Sequence, residues 1–440
     1  MRKNARAAAI ATAGVAALLL AGCSTGTGTG TTAALPDGIP DTVEADGDTL
    51  TVWVMQDDYN DETLAAINER FTERTGAEVD VQIQQWDGIT TKLSTALATT
   101  TPPDVVDIGN TQVAGYAANG ALLDITDYRD DLAQDQTWLS GLEEPATVDG
   151  TLYGIPGFAG NRAVIYNKTL WADAGITEVP ITWEELTADL DALAAANPAP
   201  DFSPLYLPGQ HWYVGLQFMW DHGGEIAALE DGEWSSTAGS DASLEGIEAW
   251  KEFQNAYSAE SSRTVSADKP EQEQIFADGK AGAIIATNGA INAILNANPE
   301  LTEADLGTFA LPGQIDDTQP VMLGGSVWGI AAKSAHPDLA LIWTQIAVSS
   351  DIQVDFVFGG QGLMPNSEEN IAAVAGDLGE TKIGFFDAAL NSRATPASPG
   401  WTEVEGANLL QDLFSTVASG AATPEEAAAT YDSKADEALN

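Results

Sequence analysis

Polar and aromatic residues follow short β-branched segments at three places early in the chain. They are Gln56-Asp57-Asp58, Gln85-Trp86 and Asn110-Thr111-Gln112. Carboxylate and carboxamide groups are planar and can each satisfy more than one hydroxyl group. Aromatic rings offer large, rigid contact surfaces. These residue types indicate reversible binding through hydrogen bonds and ring stacking rather than bond-making chemistry.

Patterns typical of catalysis or metal binding are weak by comparison. The three histidines, His211, His222 and His336, lack the spacing of metal ligands. The sequence shows no glycine-rich phosphate loop and no serine nucleophile elbow. With 66 acidic residues, a pair of hydrolytic carboxylates can always be imagined, so their number indicates nothing. We predict no catalytic residue, metal or cofactor, and we keep a lipid-anchored secreted glycoside hydrolase as the alternative.

The N-terminus has the features of an export signal. Basic residues within the first six positions precede an apolar stretch from Ala7 to Ala21, which is shorter than the roughly 20 residues that span a bilayer. Leu20-Ala21-Gly22-Cys23 resembles the lipobox of bacterial lipoproteins, so residues 1–22 are predicted to be a signal peptide and Cys23 a lipid anchor. Cys23 is the only cysteine of the chain. A plain signal peptide with an incidental cysteine is the alternative.

The composition fits an exported globular protein with a very negative surface. The formal net charge is −49 and the hydrophobic fraction is 44%, and the length suffices for two large lobes. Such a charge repels nucleic acid and anionic lipid headgroups and disfavours an anionic ligand. Residues 23–48 are rich in Gly, Ser and Thr, which predicts a flexible linker after the lipidated cysteine.

Strand and helix patterns alternate along the body of the chain. Segments 50–55, 79–83 and 104–109 have the β-branched content of strands. Helices are predicted after Asn60 or Asp61 as the cap, ending near Gly76, and across residues 89–97. This alternation predicts a parallel sheet covered on both faces. Ligands of such sheets bind beyond the carboxyl ends of the strands, where the three polar clusters lie.

Eight stretches resemble the maltose-binding-protein-like solute-binding proteins, the sugar receptors of ATP-powered bacterial importers. They are Leu50–Asp58, Thr101–Thr126, Tyr153–Pro156, Val164–Leu170, Phe276–Asn288, Leu311–Gly313, Gly324–Ile330 and Gly362–Pro365. Their order and spacing carry the resemblance. It implies an α/β, two-lobed, periplasmic-binding-protein-like fold of type II with a cleft between the lobes. Lobe one would hold residues 49–157 and 328–372, and lobe two residues 158–327 and 373–440.

The resemblance also places family ligand positions on this chain. They are Asp57, Trp86, Asn110, Gln112, His211, Trp212, Tyr213, Asn288, Gly325, Ser326, Arg393 and Trp401. Asp58 stands where some relatives carry Lys. Gly160 and Asn161 occupy a region where maltose binders carry Glu, which argues against maltose. Asp57 and Asn110 have an alternative role as helix caps.

The function that this resemblance implies is capture of a neutral di- or trisaccharide and its delivery to an ABC permease by lobe closure. The loop 108–112 is similar to receptors for chitobiose- or cellobiose-like ligands. We expect an extracytoplasmic monomer that contacts the outer face of the cytoplasmic membrane only through its lipid. Five tryptophans in strand or helix patterns are expected in the core: Trp53, Trp183, Trp220, Trp250 and Trp343.

Overall fold

The computed structural model describes residues 38–86, 88–266 and 271–439. The predicted signal peptide, Cys23 and most of the predicted linker therefore lie outside the described residues. Within the described ranges, no helix combines the length and the apolar character that crossing a bilayer requires.

The described chain alternates between strands and helices. The strands are β1 (Thr49–Met55), β2 (Glu78–Gln84), β3 (Val105–Gly109), β4 (Thr147–Val148), β5 (Thr151–Leu152), β6 (Ile155–Gly160), β7 (Ala163–Asn167), β8 (Ala227–Glu230), β9 (Glu233–Ser236), β10 (Ala283–Ala286), β11 (Leu306–Phe309), β12 (Val321–Met322), β13 (Gly324–Ile330) and β14 (Ser392–Arg393).

The helices alternate with these strands along the chain. They are α1 (Asp61–Thr75), α2 (Ile89–Ala98), α3 (Val113–Ala118), α4 (Arg129–Ala133), α5 (Ser140–Glu143), α6 (Lys168–Asp173), α7 (Trp183–Ala196), α8 (Trp212–Asp221), α9 (Asp241–Tyr257), α10 (Glu271–Ala277), α11 (Gly289–Ala297), α12 (Pro337–Ala347), α13 (Gly359–Gln361), α14 (Glu368–Val374), α15 (Ile383–Ala389), α16 (Trp401–Gly406), α17 (Leu409–Ala418) and α18 (Pro424–Leu439). A π-helical segment, Ile352–Phe358, precedes α13.

The first lobe is built on a five-stranded sheet with the order β2-β1-β3-β13-β6. The strands β1, β2 and β3 are parallel, and β13 runs antiparallel to both β3 and β6. The predicted helix after β1 is confirmed, because Asn60 caps α1 by accepting a hydrogen bond from the amide of Thr63 at 2.8 Å. The helix ends at Gly76, whose φ of 75° suits a residue without Cβ.

The second lobe is built on a smaller sheet with the order β10-β7-β11, in which β7 is antiparallel to both neighbours. The helix α15 packs on this sheet, where the amide of Gly384 donates to the hydroxyl of Thr308 at 3.0 Å. Each lobe has its own apolar core, and a third cluster joins residues of both lobes. Trp220, Trp250 and Trp343 are buried, as predicted, whereas Trp53 and Trp183 are half-buried.

The chain crosses between the lobes from β6 into β7, from β11 back to β13, and a third time before α15. The first sheet extends to Gly160 and begins again at Gly324. The lobe boundaries at 157/158, 327/328 and 372/373 stay a prediction.

The strands β6 and β13, which lead between the lobes, approach so closely that one position has no room for a side chain. Gly325 has a φ of 150°, and a Cβ there would lie 2.1 Å from the carbonyl oxygen of Phe158 and 3.1 Å from the Cα of Ala159. Because backbone atoms cannot move aside as a flexible side chain does, the glycine sets how tightly β13 and β6 pair.

We therefore expect Gly325→Ala to lower the free energy of unfolding by about 1–3 kcal/mol, as overpacking does in other proteins. Urea denaturation of the purified protein measures the change. Gly160→Ala is the matched control, since no atom lies within 4 Å of a Cβ at that position of the paired strand. Equal stability of the two variants would contradict the close-approach interpretation.

Candidate functional site

A cleft with a volume of about 540 Å³ opens where the parallel strands of the first sheet end. Side chains of both lobes line it, and most of them are polar or aromatic. The lining residues are Asp58, Trp86, Gly109, Asn110, Thr111, Gln112, Phe158, Gly160, Arg162, Trp212, Tyr213, Thr287, Met322, Gly324, Gly325, Glu405 and Gln411. The three polar clusters predicted at the carboxyl ends of β1, β2 and β3 thus contribute neighbouring parts of one surface.

The first lobe supplies a polar wall with one exposed ring. Trp86 follows β2 and is 43% exposed, so its indole face is available to a ligand. Asp58, rather than the more exposed Asp57, lines the cleft after β1. Gln112 follows β3, and its side-chain oxygen is enclosed without a hydrogen-bond partner among the described residues.

Asn110 is held rigidly at the centre of this wall. Its side-chain amide donates to the carbonyl oxygens of Gly141 at 3.1 Å and Leu323 at 2.9 Å, and only 3% of the residue is exposed. Neither Asn110 nor Asp57 caps a helix, because Asn60 caps α1 and no side chain caps the turn at 110–112. Asn110 therefore joins the end of β3 to the segment that crosses between the lobes.

The second lobe supplies an aromatic wall at the start of α8. The rings of Trp212 and Tyr213 stack with a centroid distance of 3.8 Å and an interplanar angle of 26°. The guanidinium carbon of Arg162 lies 3.3 Å from the centroid of the Tyr213 ring on the other side. This layered platform covers both faces of the Tyr213 ring, and Trp212 is only 4% exposed, so the platform gives the cleft a rigid aromatic edge.

The buried side chain of His211 joins the start of α8, which carries the platform, to β10. It is 1% exposed, and its Nε2 lies 3.0 Å from the carbonyl oxygen of Ile285 on β10. Burial, followed by the charge of Arg162, lowers the pKa of His211 to about 3. The imidazole is therefore neutral, and because a carbonyl oxygen accepts, Nε2 must carry the proton. His211 positions Trp212 rather than facing the cleft.

A buried acid lies beneath the floor of the cleft. Asp107 on β3 is 1% exposed, and its oxygens accept hydrogen bonds from the hydroxyl of Ser326 and from the amide of Met55 at 3.1 Å. The carboxyl group of Asp58 lies within hydrogen-bonding reach of it. Burial raises the pKa of Asp107, and burial together with the charge of Asp107 raises the pKa of Asp58 to about 8.

A third acid, Glu405 on α16, lies on the opposite side of the cleft. Burial raises its pKa to about 7, while the neighbouring Trp401 indole and Thr111 hydroxyl oppose the rise. At neutral pH this group is thus only partly ionised. Trp401 itself is fully buried behind Glu405.

Of the twelve predicted ligand residues, six line the cleft: Trp86, Asn110, Gln112, Trp212, Tyr213 and Gly325. The other six lie elsewhere. They are Asp57, His211, Asn288, Ser326, Arg393 and Trp401. Asn288 lines a neighbouring cavity of about 210 Å³ that shares Phe158, Gly160 and Thr287 with the cleft. Whether any of the twelve touches ligand stays a prediction.

Arg393 and Ser326 are engaged in contacts within the protein. Arg393 forms an ion pair with Glu225 and lines a different cavity, of about 430 Å³, between residues of both lobes. The hydroxyl of Ser326 donates to Asp107.

Sequence reasoning missed several residues of the cleft. Arg162, Thr287, Met322, Glu405 and Gln411 come from scattered positions that no local motif joins. The sequence could have indicated a special role for Asp107, because it lies within the apolar run Val105-Val106-Asp107-Ile108 and an acid is rarely buried without a specific partner.

Comparison with known families gives a match over most of the chain. Residues 57–354 match the model of the bacterial extracellular solute-binding proteins. The chain is 36% identical over 360 residues to the diacetylchitobiose binding protein DasA of Streptomyces coelicolor, and the match covers 82% of each chain. It is 24% identical to the erythritol/L-threitol-binding protein of Mycolicibacterium smegmatis, over 72% of this chain and 70% of that one.

Solved structures of similar fold have two lobes as well. The sugar-binding protein MalE from Xanthomonas citri aligns with a TM-score of 0.77 at 22% identity, covering 89% of this chain and 97% of that one. A cyclo/maltodextrin-binding protein complexed with maltotetraose aligns with a TM-score of 0.75 at 21% identity, covering 90% and 99%. The predicted two-lobed α/β fold is confirmed by these similarities.

The raised pKa of Glu405 predicts a pH dependence of stability. Because the folded pKa of about 7 exceeds the ordinary value of 4.5, the contribution of this group is complete below pH 4.5 and is lost as the pH rises through 7. Glu405→Gln removes that loss, so we expect the variant to gain about 1–2 kcal/mol relative to the unchanged protein between pH 5 and pH 8.

Urea unfolding at the two pH values measures the gain. Glu403→Gln, on the exposed side of the same helix, is the control and should follow the unchanged protein. A Glu405→Gln variant with an unaltered pH dependence would show that this carboxyl group is solvated.

Proposed function

Because the chain belongs to the family of bacterial extracellular solute-binding proteins, we propose that it captures a neutral oligosaccharide in the cleft and delivers it to an ABC permease. The observation that carries this proposal is that the two lobes line the cleft with different kinds of side chain. Trp86 and amide groups line one lobe, and the Trp212–Tyr213 platform lines the other. A sugar ring has hydroxyl groups on its rim and apolar faces, so it complements both.

A disaccharide is the ligand that these features favour. The cleft volume of about 540 Å³ lies within the range of about 300–1,000 Å³ for small-molecule sites. Trp86 offers an exposed ring for one sugar unit, and Trp212 and Tyr213 line the cleft from the other lobe. The relative at 36% identity is named for diacetylchitobiose, which makes this neutral disaccharide the first ligand to test.

Transport requires that the ligand change the shape of its receptor. A sugar bound between the walls contacts both lobes, so its binding energy favours the closed arrangement over the open one. The permease then recognises the closed form. In this proposal the protein is a non-enzymatic monomer held outside the cytoplasmic membrane by a lipid on Cys23, since the lipobox resemblance is the observation that supports the anchor.

We expect one class of neutral saccharide to stabilise the protein and to remain intact. A thermal-shift screen of the chain from Ser24 onward, with N,N′-diacetylchitobiose, cellobiose, maltose and maltotriose, measures this. A ligand at about 100 times its Kd should add about 2.7 kcal/mol to the free energy of unfolding. Chromatography after long incubation separates binding from the alternative, because a glycoside hydrolase would cleave the sugar. No stabilisation by any neutral sugar would contradict the proposal.

Trp86→Ala should weaken binding of the saccharide at least about tenfold, equivalent to about 1.4 kcal/mol. Trp86 is the suitable ring to remove because it is 43% exposed and its loss leaves the core intact. Trp53→Ala is the control, since this half-buried tryptophan of the same lobe donates to Gln82 at 3.0 Å and does not line the cleft. Isothermal titration calorimetry gives both affinities, and equal losses in the two variants would contradict the role of Trp86.

A further inference from the structure

Two acids meet at the floor of the cleft in an arrangement that needs a shared proton. Asp58 faces the cleft from the loop after β1, and Asp107 lies beneath it on β3. Their carboxyl groups are within hydrogen-bonding reach. Two carboxylates in contact repel one another strongly unless a proton or a cation lies between them.

Among the described residues, no cation acts on this pair of acids. The titratable groups that act on Asp58 are Asp107 on β3 and Asp57 in its own loop, both of which are acids, and the buried Tyr59 lies beside the pair. The other charged residues that line the cleft are Arg162 and Glu405. Arg162 stacks on Tyr213 in the second lobe. Within the described residues, a proton is therefore the means of neutralising the pair.

The hydrogen bonds show which acid carries the proton. Asp107 accepts from the Ser326 hydroxyl at one oxygen and from the Met55 amide at the other. Both donors favour the ionised form of Asp107. Among the described residues, the Trp86 indole is the one donor that favours the ionised form of Asp58, and Asp58 is the partner that faces the cleft. Asp58 is therefore the proton donor and Asp107 the acceptor.

We propose that Asp58 contacts the bound sugar as a neutral acid, and that Asp107 is the positioning residue that holds its proton. The neutral acid donates its O–H to Asp107 and leaves its other oxygen as an acceptor for a sugar hydroxyl. This inference rests on the proposed function and goes beyond it by assigning a specificity-determining residue and a proton requirement.

Lobe closure makes the proton necessary. Closing the cleft over an uncharged ligand removes water from the pair, and this costs more free energy when both acids are ionised. The pKa of Asp58, about 8 in the empty protein, should thus rise further in the complex. By linkage, the contribution of the Asp58 proton to affinity is constant below pH 8 and falls above it, by at most tenfold per pH unit.

The test compares affinities for N,N′-diacetylchitobiose between pH 6 and pH 9.5 by titration calorimetry. The unchanged protein should lose about tenfold in affinity from pH 7.5 to pH 9.5. Asp58→Asn, which keeps an N–H donor and an oxygen acceptor but cannot ionise, should lack the fall in affinity above pH 8. Asp107→Asn should move the fall in affinity to lower pH, because the negative partner is gone.

Asp61→Asn removes one exposed acid at the start of α1 and is the control, which should keep the unchanged profile. No loss of affinity above pH 8 in the unchanged protein, or a loss above pH 8 that persists in Asp58→Asn, would overturn the inference.

A carboxyl titration of the ligand-free protein by infrared spectroscopy separates the inference from the proposed function. An Asp58-dependent carboxyl signal that persists to pH 8 supports the shared proton even where the sugar fails to bind, and its absence overturns the shared proton. Failure of the sugar to bind at every pH would instead contradict the ligand proposed above.

Discussion

The carboxyl group of Asp107 imposes the constraint on which the cleft edge of the first lobe depends. It lies in a strand whose surroundings are apolar, so its oxygens must find donors inside the protein. Met55 on β1 and Ser326 on β13 supply them. Because these donors lie on strands to either side of β3, one buried acid fixes three strands relative to one another. The loops that carry Asp58 and Asn110 leave the sheet at that point.

In the second lobe, a buried histidine and stacked aromatic rings, rather than a buried acid, fix the wall of the cleft. The imidazole of His211 joins α8 to β10, and the Trp212 ring stacks on Tyr213. A polar wall therefore faces an aromatic wall across the cleft. Under the proposed function, a sugar ring that contacts both walls would couple ligand binding to lobe closure.

The sequence predicted the fold well because local patterns determined most of it. The alternation of β1, α1 and β2, the Asn60 cap and the glycine at position 76 all depend on neighbours within a few residues. The polar clusters after the strands were found for the same reason. Residues such as Arg162 and Glu405 were missed because long-range packing brings them to the cleft. The family resemblance predicted a suitable residue type at positions such as Arg393, but it could not predict the direction of the side chain. This arginine forms an ion pair with Glu225 instead.

The net charge of −49 also bears on the acids of the cleft whose pKa values are raised. A field of this sign resists further ionisation of any buried carboxyl group. Asp58 and Glu405 both have pKa values raised toward neutrality, chiefly by burial. An acid that stays neutral offers hydrogen bonds without attracting cations from the medium. Under the proposed function, burial of these carboxyl groups would favour uncharged saccharides over cations in the cleft, despite the abundance of acids in the chain.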